Sequence, residues 1–269
     1  MFRSCVHTHT RFCDGADTPE ELVLTALEQN FVCLGFSGHG HADYDSASMS
    51  AANELCYRDE VRRLQRVYEG QIEILLGQEH DSLAPYADFP YDYLLESLHY
   101  ISHGGELLAI DWSKDRAADS IRRHFGGDPY AYCRAYFQAC AAAYEHSPAQ
   151  ICGHIDLVSK FNEGGCMFDE TDPRYLTPAK EALTAAVDRG MVVELNTGAI
   201  SRGYRTAPYP SAALLRHLKD LGGQVIVTSD CHSRKNLTCW YDQAPDFLRA
   251  CGFDHTLVLR KGGFQELSL

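Results

Sequence analysis

The sequence has no uninterrupted apolar run of about 18 residues, so it offers no candidate membrane-spanning helix. Its amino terminus has no basic stretch followed by an apolar one, and no secretory leader is expected. Among its 11 cysteines there is no C-x-x-C pair, which removes the usual mark of a thioredoxin-like redox site or a structural zinc site. The cysteines are odd in number and scattered. Cys133 and Cys140, in a helical pattern, read as small buried apolar residues, and a reducing cytoplasm is the expected compartment. Positive charge is scarce: 24 Lys and Arg stand against 37 Asp and Glu, for a net charge of −13. That balance opposes long polyanions, so no nucleic-acid partner is expected, and no membrane partner either. A small anionic substrate is still compatible with it, because bound cations reverse the local field. No repeat, low-complexity tract or linker is visible, and nothing specifies the oligomeric state.

What is present is an alternation. The β-like runs are RSCVH (3–7), VCLGFS (32–37), IEILLGQE (72–79), YLLESLH (93–99), QICGH (150–154), MVVELN (191–196), QVIVTSD (224–230) and TLVL (256–259). Helical patterns separate them. Thr18 caps one, with Pro19 in its first turn and Glu21 closing a capping box. Another runs over ANELCYRDEVRRLQRVYEG to Gly70; two more start at Pro178 and Pro210 and stop at Gly190 and Gly222. The alternation predicts a parallel sheet with outer helices, an α/β barrel of 269 residues in one domain. A helix-rich excursion without a clear strand is expected around residues 111–146.

Nearly every apolar run ends in a potential metal ligand: His7 and His9, His39, Glu79, His99, His154, and Asp230 with His232. In a parallel α/β barrel the strand C-termini meet on one face. In a strand, residues two apart project to one side, which pairs His7 with His9 and Asp230 with His232. Carboxylates and imidazoles without thiolates suit zinc, manganese or iron, and such a crowd makes poor structural sense without a cation. By the same phase His80 faces away from Glu79 and reads as structural, whereas the direction of His41, in a loop, is open.

At these residues the sequence resembles the PHP (polymerase and histidinol phosphatase) family, in its histidinol-phosphatase branch. HTHTRFCDG, SGHGHADYD, GQEHD, ESLHYIS, GHIDLV, ELNTG and TSDCH stand in the family's order and cover nearly the whole chain. The resemblance implies a distorted (β/α)7 TIM-like barrel, a PHP fold, holding two or three divalent metal ions. It implies one metal on His7, His9, Glu79 and Asp230, a second on Glu79, His99 and His154, and a third on Asp14, His39 and His232.

Phosphate monoesters hydrolyse very slowly without a catalyst, and clustered metals can activate water, neutralise phosphoryl oxygens and align the attack. Glu79 and Asp230 are then expected to act in catalysis through the metals they hold, Glu79 as a bridge and not as a base. Arg202, and Lys160 where relatives carry arginine, are the candidate phosphate-binding cations, while Arg205 reads as a solvated loop charge. His41 is a candidate phosphate contact and proton donor to the leaving alkoxide, with a metal-bound water as the alternative. The expected activity is metal-dependent phosphomonoester hydrolysis, with L-histidinol phosphate as substrate, in histidine biosynthesis. An amidohydrolase-type hydrolase, a PHP phosphatase for another small phosphomonoester, and a non-catalytic metal-binding barrel are the competing readings.

Overall fold

The computed structural model describes residues 3–269. In chain order its elements are β1 (Ser4–Cys5), α1 (Pro19–Glu28), β2 (Cys33–Phe36), α2 (Ala51–Val67), β3 (Glu73–Asp81), β4 (Tyr93–Ser97), β5 (Tyr100–His103) and β6 (Glu106–Ala109). There follow α3 (Lys114–His124), α4 (Pro129–His146), β7 (Ile151–Cys152), α5 (Pro173–Asp188), β8 (Val192–Asn196), α6 (Gly198–Ser201), α7 (Ala212–Asp220), β9 (Val225–Thr228), α8 (Ala244–Ala250), β10 (His255–Arg260) and β11 (Gly263–Ser268). The main sheet has nine strands in the order β1-β2-β3-β4-β7-β8-β9-β10-β11. Every neighbouring pair in it is parallel except β10 with β11. The architecture is therefore α/β with a mostly parallel sheet.

Local chemistry explains several element ends. Thr18 caps α1 as the sequence indicates: its hydroxyl accepts from the Glu21 amide, while the Glu21 carboxylate accepts from the Thr18 amide. Helix α5, in contrast, starts before Pro178. Asp172 caps it and Pro173 opens it, so Pro178 lies inside the helix, where one backbone hydrogen bond is lost. The buried Tyr175 anchors that extra turn. The excursion after residue 111 is α3 and α4, as the pattern indicates. Two strand pairings were not legible in the apolar runs. The hairpin β5–β6 turns on Gly104 and Gly105, both at positive φ, the backbone that a tight two-residue turn requires. The half-exposed β11 covers the edge of β10.

Side-chain alternation splits the sheet residues between two apolar clusters. Leu34, Phe36, Ile74, Leu76, Val193, Leu195, Val225 and Val227 belong to the larger one, with the buried faces of the helices. Val6, Cys33, Leu75, Tyr93, Leu95, Ile151, Val192, Ile226, Leu257 and Leu259 form the other, which thus joins residues from both ends of the sheet. Tyr93 occupies space left by two glycines: a Cβ on Gly35 would stand 2.4 Å from its hydroxyl oxygen, and one on Gly77 2.3 Å from Cζ. Its hydroxyl lies 2.7 Å from the Val6 carbonyl and 3.0 Å from that of Phe36. Beyond the strands, a parallel bridge pairs Thr8 with Cys231.

Candidate metal centre

The bridge that pairs Thr8 with Cys231 brings His7 and His9 beside Asp230 and His232. The His9 amide donates to the Cys231 carbonyl (2.9 Å), and the Cys231 amide to the His7 carbonyl (3.1 Å). Strand β1 ends at Cys5 and the chain bends at Val6, so Cys5 packs among apolar residues while both imidazoles turn to the site. Asp230 sits at φ 45°, an uncommon backbone for a non-glycine residue, immediately past the end of β9. Gly198 makes room for it, since a Cβ there would lie 2.6 Å from Asp230 Oδ2.

Glu79, on β3, is the hub. Its Oε2 lies 3.2 Å from His7 Nε2, 3.4 Å from His9 Nε2 and 3.0 Å from His39 Nδ1. Its Oε1 lies 2.9 Å from His154 Nε2 and 3.4 Å from His99 Nε2. Asp230 Oδ1 is 3.3 Å from His9 Nε2 and 3.7 Å from His7 Nε2. Asp14 gathers a third set, 3.0 Å from His232 Nε2, 3.3 Å from His9 Nδ1 and 3.8 Å from His39 Nε2. All nine expected ligands are therefore brought together. Their donor atoms form four overlapping groups, within 4.8 Å in each: His9, Asp14, His39, His232; His7, His9, Asp230; His7, Glu79, His154; and His39, Glu79, His99. The overlap refines the ligand sets implied by the resemblance: His39 faces Glu79 as well as Asp14, and His9 joins the set around Asp14.

These residues fit divalent metals. His7 Nε2, His9 Nε2 and Glu79 Oε2 are buried, and none of them completes a hydrogen bond with a described residue. Burial opposes charge on His7, but Glu194, Glu79 and Asp230 outweigh it and hold its pKa above the ordinary imidazole value. Burial likewise opposes ionisation of Glu79, and the imidazoles of His7, His39 and His99 overcome it. A bound cation would satisfy the same carboxylates with the imidazoles neutral.

Further carboxylates contact these imidazoles from behind. Glu194, mid-strand in β8, lies 2.5 Å from His7 Nδ1 and accepts from the His154 amide (2.8 Å). Asp81 lies 3.3 Å from His99 Nδ1 and accepts from the His99 amide at 2.8 Å. Neither was singled out in the sequence, although signals existed. Asp81 is in phase with Glu79 on β3, and Glu194 is a carboxylate inside an apolar strand.

The ligands open into a cleft of about 240 Å³, which Arg202, Lys160, Asp45, Tyr100, Asp111, Trp112 and Tyr204 also line. Arg202 donates to Asp230 Oδ2 (2.9 Å) and to His232 Nδ1 (2.8 Å). Lys160 Nζ is 2.9 Å from Asp111 Oδ2. Two expectations are corrected. Arg205 is not a solvated loop charge; it pairs with Glu170 (2.6 Å) and donates to the Ser159 carbonyl (2.7 Å). His41 is not among the residues lining the ligand cleft: its Nδ1 donates to the Met49 carbonyl (2.9 Å) and it lines a separate cavity with His80 and Gln78. Gly40, Met49 and Asp43 direct that loop, and no strand phase could have shown it. His80 faces away from Glu79 as expected, stacked on Tyr86 with centroids 3.8 Å apart.

Comparison with known proteins identifies the family. Residues 6–198 match the model of the PHP domain. The chain is 25% identical over 285 residues to a probable histidinol-phosphatase of Schizosaccharomyces pombe, covering 95% of this chain and 89% of that one. It is 25% identical over 273 residues to a histidinol-phosphatase of Bacillus subtilis, covering 91% and 98%. A solved structure from Lactococcus lactis, of histidinol phosphate phosphatase with zinc, L-histidinol and phosphate, superposes with a TM-score of 0.73 at 19% identity, covering 97% and 98%. At that identity the superposition speaks for the fold.

Proposed function

This chain belongs to the PHP family, and we propose that it is a metal-dependent phosphatase that converts L-histidinol phosphate and water into L-histidinol and phosphate, in histidine biosynthesis. The observation that carries the reading is Glu79: one buried carboxylate presents separate oxygens to two groups of imidazoles, beside the cations Arg202 and Lys160. Two relatives matched along nearly their whole length bear the name histidinol-phosphatase. Seven strands, β1 to β4 and β7 to β9, are read as a distorted TIM-like barrel in one domain. The Thr8–Cys231 bridge and the cluster reaching from Val6 to Leu259 support closure. The eleven free thiols fit a reducing, cytoplasmic setting.

His7, His9, Asp14, His39, Glu79, His99, His154, Asp230 and His232 would hold two or three divalent ions, zinc, manganese or iron. Such ions supply Lewis acidity and an activated water for attack at phosphorus. The chain's own residues do the rest. Glu194 and Asp81 keep His7 and His99 oriented, with their Nε2 atoms toward Glu79. Arg202, at the wall of the cleft, brings positive charge toward phosphoryl oxygens, and Lys160 adds a second. Glu79 and Asp230 stay ionised at neutral pH and serve as ligands; neither is placed as a proton acceptor.

The test is metal content followed by turnover. Purified protein is expected to carry divalent metal and to release phosphate from L-histidinol phosphate in preference to other phosphomonoesters, with loss on chelation and recovery on adding metal back. Amide cleavage without phosphate release would overturn the proposal in favour of an amidohydrolase. No turnover with any supplied metal would leave a binding protein.

A further inference from the structure

Building on the phosphatase reading, we infer that Asp45 is the specificity residue that receives the substrate's ammonium group. Five carboxylates line the cleft: Asp14, Asp45, Glu79, Asp111 and Asp230. Four of them have an imidazole, lysine or arginine partner within the protein. Asp14 and Glu79 face imidazoles, Asp111 pairs with Lys160 (2.9 Å) and Asp230 with Arg202 (2.9 Å). Asp45 has no cationic partner within ion-pair distance among the described residues, although it is half-buried at the cleft.

Its geometry leaves one oxygen for a ligand. Both of the hydrogen bonds that Asp45 accepts through its side chain, from the Ala47 amide (3.0 Å) and the Tyr100 hydroxyl (3.3 Å), fall on Oδ1. Oδ2 accepts none from the described residues. Tyr100 is itself braced edge-on by Tyr44 (centroids 5.2 Å apart, 75°), and Tyr44 donates to Asp81, the residue that orients His99. The carboxylate is thus held at a defined orientation, at the wall of the cleft that contains the metal ligands.

The chemistry of the substrate supplies the missing cation. L-Histidinol phosphate carries a protonated primary amine on the carbon next to the ester-bearing one, so a phosphoryl group at the metal centre brings the ammonium close by. An ammonium donor and a fixed carboxylate make a charge-assisted hydrogen bond, the strong kind. Asp45 then selects aminoalkyl phosphates over phosphomonoesters that lack the amine.

The experiment uses metal-loaded wild type and Asp45→Asn, which keeps an oxygen for Ala47 and Tyr100 but loses the charge. kcat/KM is measured for L-histidinol phosphate and for its analogue lacking the amine, and calorimetry follows binding of L-histidinol and of inorganic phosphate. The variant is expected to lose about 10- to 100-fold in kcat/KM for the aminated substrate and a similar factor in L-histidinol affinity, and neither for the analogue or phosphate. Equal loss on both esters, or no loss on either, overturns the assignment. A wild type that hydrolyses both esters equally overturns it too while the phosphatase reading stands. A wild type that hydrolyses neither ester ends both.

Discussion

His7 Nδ1 and Glu194 Oε1 lie 2.5 Å apart where both side chains are wholly shielded from solvent. This contact determines which nitrogen of His7 is available. With Nδ1–H donated to the carboxylate, Nε2 is directed at Glu79 and Asp230, where a metal would take the place of its proton. Glu194 also accepts from the His154 amide (2.8 Å), Asn196 Nδ2 (2.9 Å) and the Thr228 hydroxyl (2.5 Å). One carboxylate thereby positions ligand segments that follow β1 and β7.

Replacing Glu194 by glutamine removes the charge that fixes His7. Metal affinity is expected to fall about 10- to 100-fold, with activity partly recovered in excess metal. Competition with a chelating dye measures the affinity. An unchanged value would show that the carboxylate acts on the fold alone.

Arg202→Ala removes a guanidinium that lines the cleft and pairs with Asp230. KM for the phosphorylated substrate is expected to rise by about 10- to 100-fold while metal stoichiometry stays at the wild-type value. Arg202→Lys should recover only part of the loss, because an ammonium cannot reproduce the planar fork. Wild-type kinetics in the alanine variant would remove Arg202 from phosphate binding.

Metal uptake at neutral pH should release protons. Burial alone would lower the pKa of His7 and His99, but the carboxylates around them raise both, His99 to about 10. In metal-free protein the raised pKa values favour the protonated imidazoles, whereas a metal ligand must be neutral. Affinity should therefore rise with pH up to that range. Calorimetric titration in buffers of different ionisation enthalpy reads the proton count directly, and a heat independent of buffer would contradict it.

Glu96 makes stability depend on pH. Its Oε2 accepts from the Tyr86 hydroxyl (2.6 Å) and the Ser147 hydroxyl (2.6 Å), Oε1 has no partner among the described residues, and burial pushes the pKa from 4.5 up to about 7. The folded protein thus keeps the proton longer than the unfolded chain. The associated stability is complete below the unfolded value and is lost as pH rises through about 4.5 to about 7. The full loss is on the order of 3 kcal/mol. Glu96→Gln, which cannot ionise, should lack this fall. Urea unfolding of both metal-loaded proteins at pH 5 and 8 measures it, and parallel losses would show that Glu96 has an ordinary pKa.

Much of the site was legible because it repeats a simple rule. A candidate ligand near the C-terminal end of an apolar strand in a parallel sheet meets those of the other strands, and His7, Glu79, His154 and Asp230 follow that rule. Strand phase also placed His80 correctly on the opposite side from Glu79. Legibility failed where a loop sets direction. His41 follows a loop held by the Met49 carbonyl and turns to another cavity, and the pairing of Lys160 with Asp111 crosses 49 residues with no local pattern. Arg205 looked solvated because nothing nearby in sequence announced Glu170 as its partner.

By itself the sequence determined the alternation of the main parallel strands with helices and the carboxylates and imidazoles that close the apolar runs, because periodicity and capping are local properties of the chain. Only the tertiary structure decided which oxygen of Glu79 faces which imidazole, which carboxylates hold those imidazoles from behind, and that Asp45 has no ion-pair partner among the described residues. Those are matters of distance between segments remote in sequence, fixed by packing around Tyr93 and by the bend at Val6, and no local pattern encodes them.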